Sequence, residues 1–334
     1  MKLIVNIDSL PVDRFDLNKI VDSKNYEVVS NKKFKIRPGF NFMGEFLTGN
    51  PPSKTGLWMD FVRSENSPYQ FLKVGSSVVK SRGKISNRIL KLFSRILYKK
   101  TFYPYQIPLG LLKYFDLHEK IEDFKKEELN IFKKKYNVKT VSIISGEIDD
   151  IEKKLEIESS ELVFVNYYTL DKVGHKYGPN SKEYLELSER IFESVIKIQR
   201  SRKFKSVEIM SDHGMYEVNK IVNIWDFIER AALKNIVYFV NSPVLRFWVN
   251  GEHRKIVETG LKMMENERIG RILTEKDFIK FDLPQDREFG DLIFWLNEGH
   301  HIAPDFFMGE EKVKGLHGYW GWDWSIQLIL KLKN

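Results

Sequence analysis

Apolar and polar positions follow two rhythms along this chain. Short, nearly unbroken apolar runs at Lys2–Ile7, Val138–Ile144, Leu162–Asn166 and Ser206–Met210 predict strands covered on both faces, the form that a parallel sheet takes. Helical spacing takes over between and around them. Ile85, Ile89, Leu92, Phe93, Ile96 and Leu97 fall on one face, and Lys120–Lys135 and Ser181–Arg200 are further amphipathic stretches. Tyr26–Lys35 reads as extended and Phe40–Leu47 as a short helix. Val237–Val240 and Val244–Val249 read as edge strands, Glu265–Lys280 as a small α/β excursion, and Asp291–Leu296 as another strand. The alternation predicts an α/β fold, doubly wound, with a mostly parallel central sheet and helices on both faces.

Composition narrows the class. With 42% hydrophobic and 30% charged residues over 334 positions, the chain suits one globular domain, 1–334. It has no apolar run long enough to span a bilayer, and its first apolar run is short and contains Asp8, unlike a secretory leader. Cysteine is absent, which removes disulfides and thiolate metal sites and leaves Asp, Glu and His as the only strong ligands. A cytoplasmic protein is expected.

The net charge of +8 is not spread evenly: Lys73–Lys113 holds ten basic residues and no Asp or Glu. We expect a helical basic insertion, about residues 62–135, lying over the sheet edge. A basic amphipathic helix suits peripheral membrane contact or an anionic substrate. Its plainer alternative is a solvated helix packed on the domain. Nucleic acid is not expected, because no recognition motif accompanies the charge.

Chemistry concentrates at the ends of the predicted strands. Asp8 follows the first. Val163–Pro179 runs from a buried strand into a loop that carries Asp171 and His175 four residues apart. The Ser206–Met210 strand leads into Ser-Asp-His-Gly-Met, with Asp212 and His213 adjacent, and His317 lies in a Gly-rich loop. The carboxyl ends of strands are where an open α/β sheet presents ligands. Each residue alone could be a cap or a turn; together the six divide into two three-ligand groups, each with an open position as catalytic zinc requires. Two such metals would hold a phosphoryl group between them.

These residues resemble the alkaline phosphatase superfamily, in its nucleotide pyrophosphatase/type I phosphodiesterase branch. Four motifs carry the resemblance in the family's order: DKVGHKYGP (171–179), DHGM (212–215), GLHGY (315–319) and TGNPPSKTG (48–56). The resemblance implies two divalent metal ions, most often zinc. Asp171, His175 and His317 would hold one, and Asp8, Asp212 and His213 the other. It also implies a metal-dependent phosphohydrolase acting on an anionic phosphorylated small molecule or a lipid-linked substrate.

The family's nucleophile is a Ser or Thr ahead of the Thr-Gly pair. Here an ungapped count puts Gly39 at that position and a two-residue deletion puts Asn41 there; no Ser or Thr lies between Ser30 and Thr48. Asp60 lies near where the family often carries a phosphate-binding Asn. Three readings stay open: attack by metal-bound hydroxide, a hydroxyl from elsewhere such as Thr48 or Ser9, or a catalytically silent protein that binds metals and a phosphate ligand.

Overall fold

The structure is a computed structural model. It describes residues 1–10, 26–39, 42–72, 84–99, 102–202, 204, 206–230, 236–309, 311–321 and 323–332. Its central sheet is built from β1 (Lys2–Ile7), β2 (Tyr26–Ile36), β3 (Val141–Gly146), β4 (Leu162–Tyr167), β5 (Ser206–Met210) and β10 (Asp323–Leu332), in the order β2-β10-β5-β1-β4-β3. Strands β3, β4, β1 and β5 run parallel; β10 pairs antiparallel with both β5 and β2.

The apolar runs are continuous because both faces of the sheet are covered. Leu3, Val5, Ile7, Val163, Val165, Val207 and Ile209 point to one side. There they pack on Ile151 and Leu155 of α4 (Ile148–Glu156) and on Ile191, Phe192 and Val195 of α6 (Lys182–Arg202). Ile4, Leu162, Phe164 and Met210 point to the other side. They meet Leu47 of α1 (Phe42–Thr48) and Ile121, Phe124 and Phe132 of α3 (Glu119–Tyr136). The period of two along each strand thus sorts one apolar run into two cores.

A second, antiparallel sheet has the order β6-β7-β9-β8, from Val237–Asn241, Val244–Trp248, Leu292–Leu296 and Gly270–Ile272. β6 lies at the sheet edge as expected, but the expectation of an edge strand is corrected for β7. β7 is interior, paired on one side with β6 and on the other with β9, and all five of its residues are buried. The partner, β9, lies more than forty residues later, and local pattern carries no information on such a pairing. Phe239, Leu245, Phe247, Phe294 and Leu296 of this sheet share a core with Phe61, Tyr69, Phe102 and Phe115. α2 (Lys84–Tyr98) rests on the same core through Leu90. α7 (Gly251–Asn266) adds Val257 and Leu261.

Candidate metal centre

Three parallel strands end side by side. Ile7 is level with Tyr167, and Asn6 with Met210, so whatever follows β1, β4 and β5 emerges at one edge of the sheet. Asp8 comes directly after β1, its N–H bonded to the Tyr167 carbonyl at 3.0 Å. The segment after β4 was expected to be a loop, but it is a helix, α5 (Thr169–Tyr177). The Gly-Pro stop acts only at Gly178, which takes φ +89°. On a helix, a spacing of four puts both side chains on one face, and Asp171 Oδ1 stands 3.3 Å from His175 Nε2.

His317 joins them from a distant loop. Gly315–Leu316 pairs with Tyr216–Glu217, and His175 Nδ1 bonds the Gly315 carbonyl at 2.8 Å. That approach needs a residue without a side chain, since a Cβ on Gly315 would lie 2.5 Å from the Gly174 carbonyl oxygen. His317 Nε2 then reaches to 3.5 Å from Asp171 Oδ1.

The loop after β5 is tied on several sides. Ser211 Oγ donates to the His213 carbonyl at 2.7 Å and accepts from the Leu10 N–H at 3.0 Å. Asp323 accepts from the Gly214 N–H at 3.1 Å and from the Tyr216 hydroxyl at 2.7 Å. His213 Nδ1 is 3.0 Å from the Gly214 carbonyl, and its Nε2 faces Asp8 Oδ1 at 3.3 Å and Asp212 Oδ2 at 3.9 Å. For His175 and His213, therefore, a carbonyl occupies Nδ1 and leaves Nε2 directed at carboxylates. This is the arrangement that fixes a metal-binding tautomer.

The structure thus brings together Asp171, His175 and His317 in one group and Asp8, Asp212 and His213 in another, the ligand atoms of each lying within 4.8 Å of one another. Both are possible metal-ligand groups. They adjoin: the His213 and His317 rings stack at 3.6 Å with 9° between planes. Ser9 bridges them, its hydroxyl 2.9 Å from Asp171 Oδ1 and 3.1 Å from His213 Nδ1. Ser9 is fully buried, takes φ +65°, and is gripped at its carbonyl by the Tyr184 hydroxyl.

The electrostatics describe a centre made for positive charge. Burial, then Asp212 and Asp171, push the Asp8 carboxyl well above its usual range despite His213. Burial would push His213 down, but Asp212, Asp8 and Asp171 outweigh it and raise it to about 9. Burial also opposes ionisation of Asp171, yet His175, His317 and His213 hold it well below the carboxylate range. Burial and the neighbouring His213 drive His317 well below the usual imidazole value. The clustered carboxylates thus favour the protonated forms of His213 and His175. Asp8 Oδ1 is buried and makes no hydrogen bond, though it faces His213 Nε2 at 3.3 Å; a cation would satisfy it. A donor set of imidazole nitrogens and carboxylate oxygens also suits a divalent transition metal.

A cavity of about 140 Å³ opens beside the second group, lined by Asp212, His213 and His317 and by Arg37, Gly39, Phe42 and Tyr319. The Arg37 guanidinium is paired with Glu45 and, at 3.2 Å, with Asp282. Gly39 has no room for a side chain: a Cβ there would meet Trp58 Cδ1 at 2.7 Å. Thr48 does not line the cavity. Its hydroxyl donates to the Gly44 carbonyl at 2.7 Å and accepts from the Asn50 N–H at 3.2 Å, closing the end of α1. Asn41 lies outside the described residues. Asp60 is also absent from the cavity lining; Lys125, Arg246 and His118 are its titratable neighbours. The supporting roles of Ser211 and Asp323 were missed from sequence, since a lone Ser after one strand or Asp at the start of another carries no signal of a partner over a hundred residues away.

The comparisons with known proteins agree with this geometry. The profile of the type I phosphodiesterase / nucleotide pyrophosphatase family matches residues 19–320. Mouse ectonucleotide pyrophosphatase/phosphodiesterase family member 7 is 29% identical over 109 residues, 31% of this chain and 24% of that protein. The chain thus spans about a quarter of that curated relative. Among solved structures, human ectonucleotide pyrophosphatase/phosphodiesterase 5 aligns over 98% of this chain and 87% of its own, with TM-score 0.55 and 13% identity. An inactive Thr-to-Ala variant of the murine form in complex with AMP has the same coverage and identity, with TM-score 0.53. Phosphonoacetate hydrolase from Sinorhizobium meliloti in complex with phosphonoformate aligns over 98% and 89%, with TM-score 0.52 and 14% identity. With an α/β fold of this topology and a family match over most of its length, the chain belongs to the type I phosphodiesterase/nucleotide pyrophosphatase family of the alkaline phosphatase superfamily.

Proposed function

We propose that this protein is a metal-dependent phosphohydrolase of phosphodiesterase type, acting on an anionic phosphate ester. The observation that carries the reading is the pair of adjoining ligand groups at the sheet edge, with Nε2 atoms facing carboxylates beside a cavity. Asp171, His175 and His317 would hold one divalent ion and Asp8, Asp212 and His213 a second, zinc being the best match to three imidazoles and three carboxylates. Such ions supply Lewis-acid stabilisation of a phosphoryl group and a nucleophile at neutral pH.

The chain's own residues would then orient and confine the ester. The Gly315 and Gly214 carbonyls fix His175 and His213, and Ser9 couples the two groups. Arg37 lines the cavity wall, its guanidinium held by Glu45 and Asp282. The cavity is smaller than the ~300 Å³ at which pockets begin to enclose whole ligands, so it would take the phosphoryl end and leave the rest toward solvent. AMP and phosphonoformate, bound by the fold's neighbours, support a phosphorylated or phosphonylated small molecule as substrate. With no cysteine in the chain, we propose the cytoplasm as its compartment.

The blocked Gly39 position favours direct attack by water over a covalent intermediate. It equally favours a second reading, metal and phosphate-ligand binding without turnover. Elemental analysis of protein purified without chelator, together with hydrolysis of bis(4-nitrophenyl) phosphate, separates them. Close to two metals per chain with turnover that Asp171→Ala abolishes is the expected result. Two metals without turnover on a broad panel of esters would establish the silent binder. Absence of metal would overturn both.

A further inference from the structure

Helix α2 turns its apolar side outward. Ile89, Leu92, Phe93, Ile96 and Leu97 are 49–66% exposed, and their spacing makes them one stripe. The other large exposed apolar residues among those described are scattered in ones and twos over other elements. The helix is fastened by its opposite edge. Asn87 and Ser94 are buried, Asn87 Nδ2 donates to the Tyr105 carbonyl at 2.6 Å, and Leu90 packs on the core of the second sheet. Beside the apolar stripe runs a basic one of Arg88, Lys91, Arg95 and Lys99, all exposed. No residue of the helix is acidic.

An apolar stripe of this extent marks a surface that something covers. A second copy of the chain would bring two basic stripes together with no carboxylate on either helix. An uncharged partner would leave the cations unused. A lipid surface carrying negative charge meets both stripes at once: the apolar side chains enter the acyl boundary while Arg and Lys stay at headgroup level. The helix is about 22 Å long at 1.5 Å per residue, and no described helix is long and apolar enough to cross a membrane, so it would lie in the interface. We propose that α2 is an interfacial helix that seats this protein on anionic lipid, independently of what the metal centre does.

The test is cosedimentation of the full chain with vesicles of phosphatidylcholine, with and without phosphatidylglycerol. The parent should bind only the anionic vesicles, and added salt should release it. Each basic residue near such a surface contributes roughly fivefold in binding, so Arg88→Gln with Arg95→Gln should weaken it about 30-fold. Phe93→Ser with Ile96→Ser should lose most of the binding to the anionic vesicles even at low salt, because the apolar side chains no longer enter the acyl boundary. Both double variants should melt like the parent by circular dichroism, because the replaced side chains are exposed. Failure of the parent to bind anionic vesicles, or equal binding by parent and variants, would overturn the proposal. So would a parent dimer in sedimentation equilibrium that the Ser variant dissolves, since the stripe would then cover a second copy.

Discussion

Replacing Ser9 tests how the two ligand groups are held together. Its hydroxyl donates to Asp171 and faces His213 Nδ1, and its backbone sits at φ +65°. A hydrogen bond to an ionised carboxylate contributes about 1.5–3 kcal/mol. His213 Nδ1 keeps the Gly214 carbonyl at 3.0 Å, so Ser9→Ala orphans only the Asp171 side and should destabilise the metal-free protein by about 1.5–3 kcal/mol. Ser9→Gly loses the same bond but relieves a left-handed backbone, worth roughly 1–2 kcal/mol. Glycine's extra unfolded-state entropy returns about 0.5–1 kcal/mol of that relief. Ser9→Gly should therefore be the milder variant, by about 1 kcal/mol. Urea unfolding of chelator-treated protein measures the difference. In calorimetric titration with Zn²⁺, both variants should bind about 10–100-fold more weakly, as expected when a group orienting metal ligands is removed. A Ser9→Ala variant that matches the parent in both assays, or a Ser9→Gly variant less stable than Ser9→Ala, would contradict this account of the bridge.

Asp8→Asn should act in opposite directions on the two states. The folded Asp8 carboxyl is raised above its unfolded value, so its contribution to stability is present at low pH and lost as pH rises through the folded value. At pH 7.5 or so the Asn variant should therefore melt higher than the parent in chelator, yet gain less from added Zn²⁺; parent melting at the higher temperature under chelation would refute this. Asp305 behaves similarly away from the centre: burial raises it to about 6, against the Phe307 and Met308 N–H groups it accepts from. Its contribution, about 3 kcal/mol, should be present below pH 3.8 and lost by pH 6. Asp305→Asn, which keeps the acceptor oxygen, should flatten the fall in stability across that interval in urea titrations at stepped pH. Gly39→Ala should destabilise the protein by about 1–3 kcal/mol as the new methyl displaces Trp58, and unchanged urea unfolding would show that the ring moves freely.

The sequence by itself determined the four parallel strands of the central sheet and the six candidate ligands, but not β10, which inserts antiparallel between β5 and β2. An apolar run covered on both faces leaves an unambiguous local trace, and an Asp or His directly after it is conspicuous. It also placed no Ser or Thr between Ser30 and Thr48, ahead of the Thr-Gly pair. Tertiary structure decided the rest. Asp171 and His175 share a helix face rather than a loop because Gly178, not the earlier Gly174, ends the helix. β7 is interior because it pairs with β9, a contact between segments that carry no mark of each other. Gly39 excludes a side chain only because Trp58 is packed against it. Ser9 joins the two candidate ligand groups only because β1, β4 and β5 end level, bringing residues 8, 171 and 213 to one sheet edge. Local periodicity reports which face of an element is buried; only the folded chain fixes which distant side chains that burial brings within bonding distance.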